Sequence, residues 1–380
     1  MTDALEVIKR HYQDRHMAPR DWKARGRKVV GYVCNSVPEE LIWAAGMMPV
    51  RLAGTPGGET DEITKMFNVN KYTEGFVNTM LNDLVTGKYD YLDYLVLPHN
   101  SRNTIQTQYS HLYIIQELWP DTHKLPELYF IEEFQSWAHN SVEYHYETLK
   151  EFAAQLEAWS GYPISPRRLK DSIEMCNETR TLVGQVQRLR DEQKISGCDA
   201  LQIIGASYFM DKAEYNRLLE VFLRDAGQRP VIEGKRIFLE GSPVDNLQFY
   251  ALVEECGGII VNEDNCWGSR SFEDMVDTER FPDQIEAIAQ RYHYKAPCGA
   301  IFFPADARCS YCKKKVKEIA SDGVIFYVLE NDAHGLWDYV DQVHAFQQQG
   351  HKTLDLLEQP YLMTNRDELK EKVSAFLATL

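Results

Sequence analysis

Four cysteines in the C-terminal third are the residues whose types and spacing point most directly to chemistry. They are Cys266, Cys298, Cys309 and Cys312. Cys309 and Cys312 form a Cys-x-x-Cys pair, a spacing at which two thiolates can bind one metal ion or one edge of an iron–sulfur cluster. Four such ligands predict a [4Fe–4S] cluster or a structural zinc ion, and the pair alone could also serve as a redox dithiol. The alternative is that Cys266 and Cys298 are small buried residues and that the pair has no chemical role.

A second group of reactive side chains follows the short apolar run at residues 29–33. It contains Asn35, Ser36, Glu39 and Glu40. A hydroxyl and a carboxylate at the end of a strand could hydrogen-bond a carbonyl group or move a proton, so Ser36 and Glu40 are predicted to be catalytic. Asn35 beside them is predicted to contact the substrate. The competing interpretation is ordinary capping of a helix whose first turn carries acids.

The elements that must position these residues alternate between strands and helices at both ends of the chain. Such alternation is typical of parallel βαβ units. We predict an α/β fold with two Rossmann-like units of mostly parallel sheet, residues 1–141 and 231–380, joined by a helical connector over 142–230. In open α/β sheets ligands bind outside the carboxyl ends of the strands. The loops at 34–40 and 241–246 are therefore the predicted walls of a cleft between the units.

The two predicted units follow the same order of strand, loop, helix, glycine and strand. This order indicates either an internal duplication or the pattern that any doubly wound sheet produces. Neither loop carries a Gly-x-Gly-x-x-Gly or P-loop motif, so the sequence shows no dinucleotide or nucleoside triphosphate fingerprint.

Composition excludes some partners. The chain has 380 residues, with 41 Lys and Arg against 57 Asp and Glu, and its net charge is −16. Bulk attraction to nucleic acid or to an anionic membrane is excluded, although a pocket with a few local cations could still bind an anionic ligand. No apolar run approaches the roughly 20 residues of a membrane span. The N-terminus lacks a signal-peptide pattern, so we expect a cytoplasmic protein.

Longer motifs resemble a known family. The matching segments lie at residues 31–52, 91–101, 262–272, 292–298, 321–326 and 356–377. They resemble, in the same order, segments of the 2-hydroxyacyl-CoA dehydratase and benzoyl-CoA reductase family, and the resemblance spans nearly the whole chain.

This resemblance implies a particular biochemistry. Family members are two-subunit iron–sulfur enzymes of anaerobes, and an ATP-dependent activator protein gives them a low-potential electron. The electron enters an acyl-CoA thioester, and the ketyl-type radical leads either to dehydration or to reduction of an aromatic ring. Each catalytic subunit usually holds a [4Fe–4S] cluster by three cysteines. We therefore expect an acyl-CoA substrate and a homologous partner subunit, in a heterodimer or a homodimer.

The sequence departs from the family at the three cluster positions. They align with Asn70, Ser101 and Asp332, and no cysteine occurs between residues 35 and 175. Asparagine and serine are poor iron–sulfur ligands beside thiolate. Two hypotheses follow. The chain is either a subunit of such a complex, with a [4Fe–4S] cluster in this chain or in its partner, or a cluster-less, non-catalytic homologue that binds acyl-CoA or a partner subunit.

The same resemblance brings several polar residues together. His99, Asn100 and Ser101 are expected to meet Asp332 and His334 in a polar pocket that could contact substrate or bind a hard divalent ion. His99 and Ser101 are the predicted substrate contacts of this set. The alternative is two ordinary surface loops.

Arg270 is a further predicted substrate contact, since a guanidinium suits a carboxylate or a CoA phosphate. It could equally form a structural ion pair.

Overall fold

The computed structural model describes residues 3–57, 65, 74–99, 103–132, 134, 136–296, 304 and 306–380. In the described residues, eight strands form two four-stranded sheets, and every pairing between strands is parallel. The strands are β1 Val29–Tyr32, β2 Met48–Arg51, β3 Tyr94–His99, β4 Glu127–Glu132, β5 Lys235–Gly241, β6 Gly258–Glu263, β7 Gly323–Leu329 and β8 Lys352–Gln359.

The two sheets have the same topology. Their strand orders are β2-β1-β3-β4 and β6-β5-β7-β8. This confirms the predicted α/β architecture of two mostly parallel units and shows that the repeated order of elements extends to whole sheets. In both units the helix that follows the first strand ends at a glycine with positive φ, Gly46 at 72° and Gly257 at 89°. Only glycine takes this left-handed conformation readily, so the chain can turn there into the next strand.

Helices cover the sheets and connect them. They are α1 Ala4–Gln13, α2 Met17–Ala24, α3 Glu39–Ala44, α4 Gly75–Val85, α5 Asn103–Leu118, α6 His139–Ser160, α7 Pro166–Asp191, α8 Gly197–Ala206, α9 Lys212–Ala226, α10 Gln248–Glu255, α11 Gln284–Tyr294, α12 Asp306–Glu318, α13 Ala333–Gln348 and α14 Arg366–Leu377, with a 3₁₀ helix at Ser269–Phe272. None of the described helices is long and apolar enough to cross a membrane.

Helices α6 to α9 lie between the two sheets in sequence, as the predicted helical connector does. The boundaries proposed for the three segments stay a prediction. Leu149, Phe152 and Leu156 of α6 recur at helical spacing and are fully buried. They pack in one cluster with Val30 of β1 and Val96 of β3. The connector therefore covers one face of the first sheet, and each of these side chains contributes about 1.5–3 kcal/mol by leaving water.

The largest hydrophobic cluster joins both units. It contains Leu5 and Ile8 of α1, Leu95 of β3, Ile203 of α8 and Leu239 of β5. Helix α1 also packs against α8 and α9. The first helix of the chain therefore shares a core with the second unit, and this core holds the carboxyl ends of the two sheets beside each other.

Candidate functional site

The loop after β1 meets the segment after β6, where the predicted cleft between the units would lie. The amide Nδ2 of Asn35 donates a hydrogen bond of 3.0 Å to Ser271 Oγ. Lys295 Nζ donates to the carbonyl of Asn35 at 2.9 Å. Arg51, at the end of β2, donates to the carbonyl of Cys266 at 2.6 Å. We call this meeting point of the two units the junction.

A small polar cavity lies at the junction. Its volume is about 30 Å³, and its lining comprises Tyr32, Asn35, Val37, Glu39, Cys176, Thr179, Arg180, Tyr208, Lys212, Ser271, Phe272, Arg291 and Tyr292. A cavity of this size holds one or two water molecules. The lining is rich in hydrogen-bonding groups, so the junction can bind a polar group, but an acyl chain needs more room than this conformation provides.

Three side chains of the lining form a hydrogen-bonded chain. The carboxylate of Glu39 accepts from the hydroxyl of Tyr32 at 2.5 Å and pairs with Lys212 Nζ at 2.6 Å. Burial, and next the negative charge of Glu39, raise the pKa of Tyr32 well above its usual range. Tyr32 is therefore protonated at neutral pH and acts as a hydrogen-bond donor. Glu39 and Lys212 fix its orientation.

Glu40 sits in a closed ion pair. Its carboxylate is fully buried and accepts from the guanidinium of Arg180, and the hydroxyl of Tyr292 donates to it at 3.0 Å. Burial alone would raise the pKa of Glu40, but the positive charges of Arg180 and Arg291 outweigh burial and lower it. The carboxylate is thus charged and fully engaged, and it is Glu39 that lines the cavity. The predicted catalytic role of Glu40 stays a prediction.

Ser36 differs from its neighbours because its buried hydroxyl has no hydrogen-bond partner within the described structure. A buried polar group without a partner costs roughly 1–3 kcal/mol. The hydroxyl of Ser36 therefore has unused hydrogen-bonding capacity, next in sequence to the Asn35 amide that spans the two units.

The other predicted substrate contacts occupy separate places. Arg270 is buried and pairs with Asp264, which agrees with the structural ion pair considered for it. His99 Nδ1 lies 2.6 Å from Glu132 Oε2, at the carboxyl ends of β3 and β4. Ser101 and Asn100 lie outside the described residues, as does Asn70.

The four predicted metal ligands are not seen to share one site. Cys266 packs against the large cluster that joins the units, whereas Cys312 is buried in a cluster on the opposite face of the second sheet. Cys309 lies one turn before Cys312 on α12 and is half-buried. Cys298 lies outside the described residues. The predicted metal centre stays a prediction.

Cys312 does take part in one compact group of potential metal ligands. One ligand atom from each of Glu240, Asp264 and Cys312 lies within 4.8 Å of the others. Arg308 bonds both carboxylates, to Asp264 at 2.6 Å and to Glu240 at 3.0 Å. Arg270 provides a second cation to Asp264. The guanidinium groups of Arg270 and Arg308 already supply these carboxyl groups with the positive charge that a metal ion would bring.

The protonation states in this group fit an ion-pair network. Burial would raise the pKa of Asp264, but Arg270 and Arg308 outweigh burial and lower it to about 2. Burial, followed by the charge of Asp264, raises the pKa of Glu240 well above its usual range. Burial also raises the pKa of the Cys312 thiol. A protonated thiol is a poor ligand for iron or zinc, since both bind thiolate.

Sequence reasoning missed Arg51, Tyr208 and Lys212 at the junction. Arg51 had a recognisable signal, because it is a cation within the apolar run at residues 48–53. A charged residue in a buried strand needs a partner, and it therefore marks a candidate site. Tyr208 and Lys212 follow the end of a helix, where their residue types carry no such signal.

Comparison with known proteins covers nearly the whole chain. The family described as 2-hydroxyglutaryl-CoA dehydratase, D-component, matches residues 34–380. The beta subunit of (R)-phenyllactyl-CoA dehydratase from Clostridium sporogenes is 24% identical over 365 residues, covering 93% of this chain and 92% of that protein. The beta subunit of (R)-2-hydroxyglutaryl-CoA dehydratase from Acidaminococcus fermentans is 22% identical, covering 86% of this chain and 87% of that protein.

A relative with a different reaction also matches. One of the subunits of benzoyl-CoA reductase from Thauera aromatica is 24% identical over 322 residues, covering 81% of this chain and 80% of that protein. These findings confirm the resemblance drawn from the motifs.

Proposed function

Because the chain belongs to the 2-hydroxyglutaryl-CoA dehydratase D-component family, we propose that it is a subunit of a 2-hydroxyacyl-CoA dehydratase or benzoyl-CoA reductase-type complex. The complex would act on an acyl-CoA thioester by low-potential electron transfer. The observation that carries this proposal is the family match over residues 34–380. The names of the relatives are those of subunits, which supports a partner subunit for this chain.

The junction suggests what this chain would contribute. Ser36 has an unpartnered hydroxyl and Asn35 presents an amide, whereas the single hydroxyl proton of Tyr32 is donated to Glu39. Two neutral donors suit a thioester carbonyl, whose oxygen gains negative charge when the thioester is reduced. We propose that Asn35 and Ser36 bind this oxygen.

The iron–sulfur cluster that the family resemblance implies does not fit the described residues of this chain. Asp332 aligns with a cluster cysteine, but it is fully buried and caps α13. One of its carboxylate oxygens accepts from Ser242 Oγ at 2.6 Å, and the other accepts from the backbone amide of Gly335 at 3.0 Å. We therefore propose that the cluster belongs to a homologous partner subunit, which receives its electron from an ATP-dependent activator protein.

The use of Asp332 as a helix cap also supports a second candidate function. A carboxylate used as a helix cap, together with a stretch free of cysteine from residue 35 to 175, is what a cluster-less homologue would show. Such a protein would bind acyl-CoA or a partner subunit without catalysing a reaction.

Anaerobic affinity purification of the full chain from its native cells would test both candidates. The eluate is analysed for co-purifying subunits, iron, acid-labile sulfide and acyl-CoA dehydration or ring reduction with the activator present. We expect a homologous subunit and about four irons per cluster. We also expect the same iron content when the tagged chain carries Cys309→Ser and Cys312→Ser.

Three outcomes would change the assignment. Iron that is lost in the double cysteine variant would establish the cysteine site in this chain. An iron-free chain that binds acyl-CoA but shows no turnover would establish the second candidate. A chain with no partner and no affinity for acyl-CoA thioesters would contradict both.

Ser36→Ala is a matched variant. We expect it to keep its partner subunit and its iron content while its binding of acyl-CoA is weakened.

A further inference from the structure

The junction cavity carries an excess of positive charge, although the chain as a whole has a net charge of −16. Three buried cations are found in its lining as described, namely Arg180, Lys212 and Arg291. Glu39 pairs with Lys212 at 2.6 Å. Glu40, which lies behind the lining, pairs with Arg180. The two carboxylates therefore compensate two of the three cations, and the charge of Arg291 is left over.

The other titratable groups of the lining do not supply the missing negative charge. They are three phenols and a thiol, all of which are neutral near pH 7 because burial raises their pKa values. These groups are Tyr32, Tyr208, Tyr292 and Cys176.

Arg291 is held in place by backbone oxygens. Its Nη2 donates to the carbonyls of Ser271 at 2.8 Å and Glu273 at 3.0 Å, and its Nε donates to the carbonyl of Asp274 at 3.3 Å. Within the described part of the chain its Nη1 makes no hydrogen bond, and no carboxylate pairs with the guanidinium. Carbonyl oxygens orient a guanidinium but carry no net charge. Arg291, which is 6% exposed, is therefore a fixed cation without a counter-ion.

The surroundings of Arg291 disfavour its charge. Burial, and next the positive charge of Arg180, lower the pKa of Arg291, and the negative charges of Glu40 and Asp274 do not outweigh them. Asp274 is exposed, so water screens its carboxylate. Arginine nevertheless stays protonated in proteins. An uncompensated buried charge is costly, so an anion that enters the cavity would relieve that cost.

The cavity also has donors that suit a carboxylate. Arg180 uses Nη1 for Asn177 and Nη2 for Glu40, whereas its Nε makes no hydrogen bond to any described residue. Guanidinium groups bind carboxylates well, because the two oxygens accept N–H donors that lie in one plane. The volume of about 30 Å³ leaves room for no more than one or two water molecules, so formate, the smallest carboxylate, suits it best.

We propose that the junction cavity is a binding site for a small carboxylate such as formate, and that Arg291 and Arg180 pair with this ion. The ion would supply the negative charge that the lining lacks. Arg180 lies on α7, Arg291 on α11, and Asn35 follows β1, so a bound ion would add to the contacts that join the two units. A thioester is neutral, so this site goes beyond the proposed acyl-CoA function and does not depend on it.

Thermal unfolding of the full chain in increasing sodium formate tests the proposal. Sodium chloride at equal concentration controls for ionic strength, and formamide, a neutral molecule of nearly the same shape, controls for polarity. We expect formate to raise the melting temperature along the curve of a ligand that binds the folded state, and neither control to do so. Equal effects of formate and chloride at every concentration would overturn the proposal.

Two arginine variants test whether the cavity itself holds the ion. Arg291→Gln removes the uncompensated charge and should weaken formate binding about tenfold or more. Arg188→Gln removes a charge of the same sign from the exposed face of α7, outside the lining of the cavity, and should leave the dissociation constant unchanged. Equal weakening in the two variants would show an effect of bulk charge and would overturn the proposal.

Glu39→Gln covers the case in which Arg291→Gln fails to fold. This change removes a negative charge from the lining and releases Lys212 from its carboxylate partner. Formate binding should therefore become tighter, by about tenfold, which is a shift of opposite sign to that of a damaged fold. Binding that is unchanged or weaker in folded Glu39→Gln would overturn the proposal.

Discussion

Removing the charge of Glu40 should destabilise the protein severely, because the change leaves Arg180 buried without an anion. Glu40 is fully buried, and Arg180 is 6% exposed. Breaking a buried pair from one side costs about 3–5 kcal/mol. Glu40→Gln keeps the shape of the side chain and can still accept from Tyr292, so the loss reports mainly the stranded guanidinium. We expect the free energy of unfolding to fall by about 3–5 kcal/mol.

A double variant measures how much of each loss of stability comes from the interaction between Glu40 and Arg180. Arg180→Met alone strands the carboxylate and should cost a similar amount. Glu40→Gln combined with Arg180→Met leaves no buried charge, so the two losses should not add, and a coupling of about 2–3 kcal/mol is expected. Urea unfolding followed by circular dichroism measures each free energy. Asp21→Asn is the control, since the exposed Asp21–Arg25 pair should contribute at most about 0.5 kcal/mol.

The result also bears on the predicted catalytic role of Glu40. If Glu40→Gln costs less than about 1 kcal/mol, the buried pair is not what holds α3 against α7, and our reasoning fails. If the variant is as stable as the wild type but its complex has lost turnover, Glu40 acts in catalysis. If turnover falls only in proportion to the unfolded fraction, its role is structural.

Two further predictions concern stability. Burial, with a smaller effect of Lys295, lowers the pKa of His145 to about 4. The folded state therefore disfavours protonation of His145, so the free energy of unfolding of the wild type should fall by up to about 3 kcal/mol as the pH drops from about 6.5 to 4. Urea unfolding at several pH values measures this fall, and His145→Phe should remove it. Gly241→Ala should lower the free energy of unfolding by more than about 3 kcal/mol, because φ is 120° and a Cβ would lie 2.4 Å from the carbonyl oxygen of Tyr327. Gly87→Ala is the control, because φ there is 78° and the space around a Cβ is open, and it should lower the free energy of unfolding by about 1 kcal/mol. Similar losses for the two variants would refute the steric argument.

The α/β class followed from local patterns, because the alternation of strands and helices depends on residues close in sequence. Strands β1 and β5, the helices after them and the glycines that end those helices were all recognisable in this way. The partners of the charged residues were not. Arg51 and Cys266 are 215 positions apart, and Glu40 and Arg180 are 140 apart. No periodicity connects such residues, because the fold of the whole chain decides which of them meet.

Separation along the sequence also explains why only part of the candidate site could be predicted. Loop 34–40 was expected to line a cleft, and the structure places Asn35 at the junction of the units. Which of Glu39 and Glu40 faces the cavity depends on the rotation of α3 against α7, and residue type does not report that rotation. Similarly, Cys309 and Cys312 have metal-binding spacing, but the carboxyl groups beside Cys312 come from β5 and from the residue that follows β6.

The packing of α1 has a consequence for how the chain is made. Leu5 and Ile8 are buried by contacts that include α8 and α9, and Tyr12 donates to the carbonyl of Asp245 at 2.9 Å. These partners are synthesised roughly 200 residues after α1. At about 5–20 residues per second, the apolar face of α1 leaves the ribosome roughly 10–40 seconds before the helices that cover it. During translation the apolar face of α1 therefore stays without its native partners, and the first unit completes its core only when most of the chain has been made.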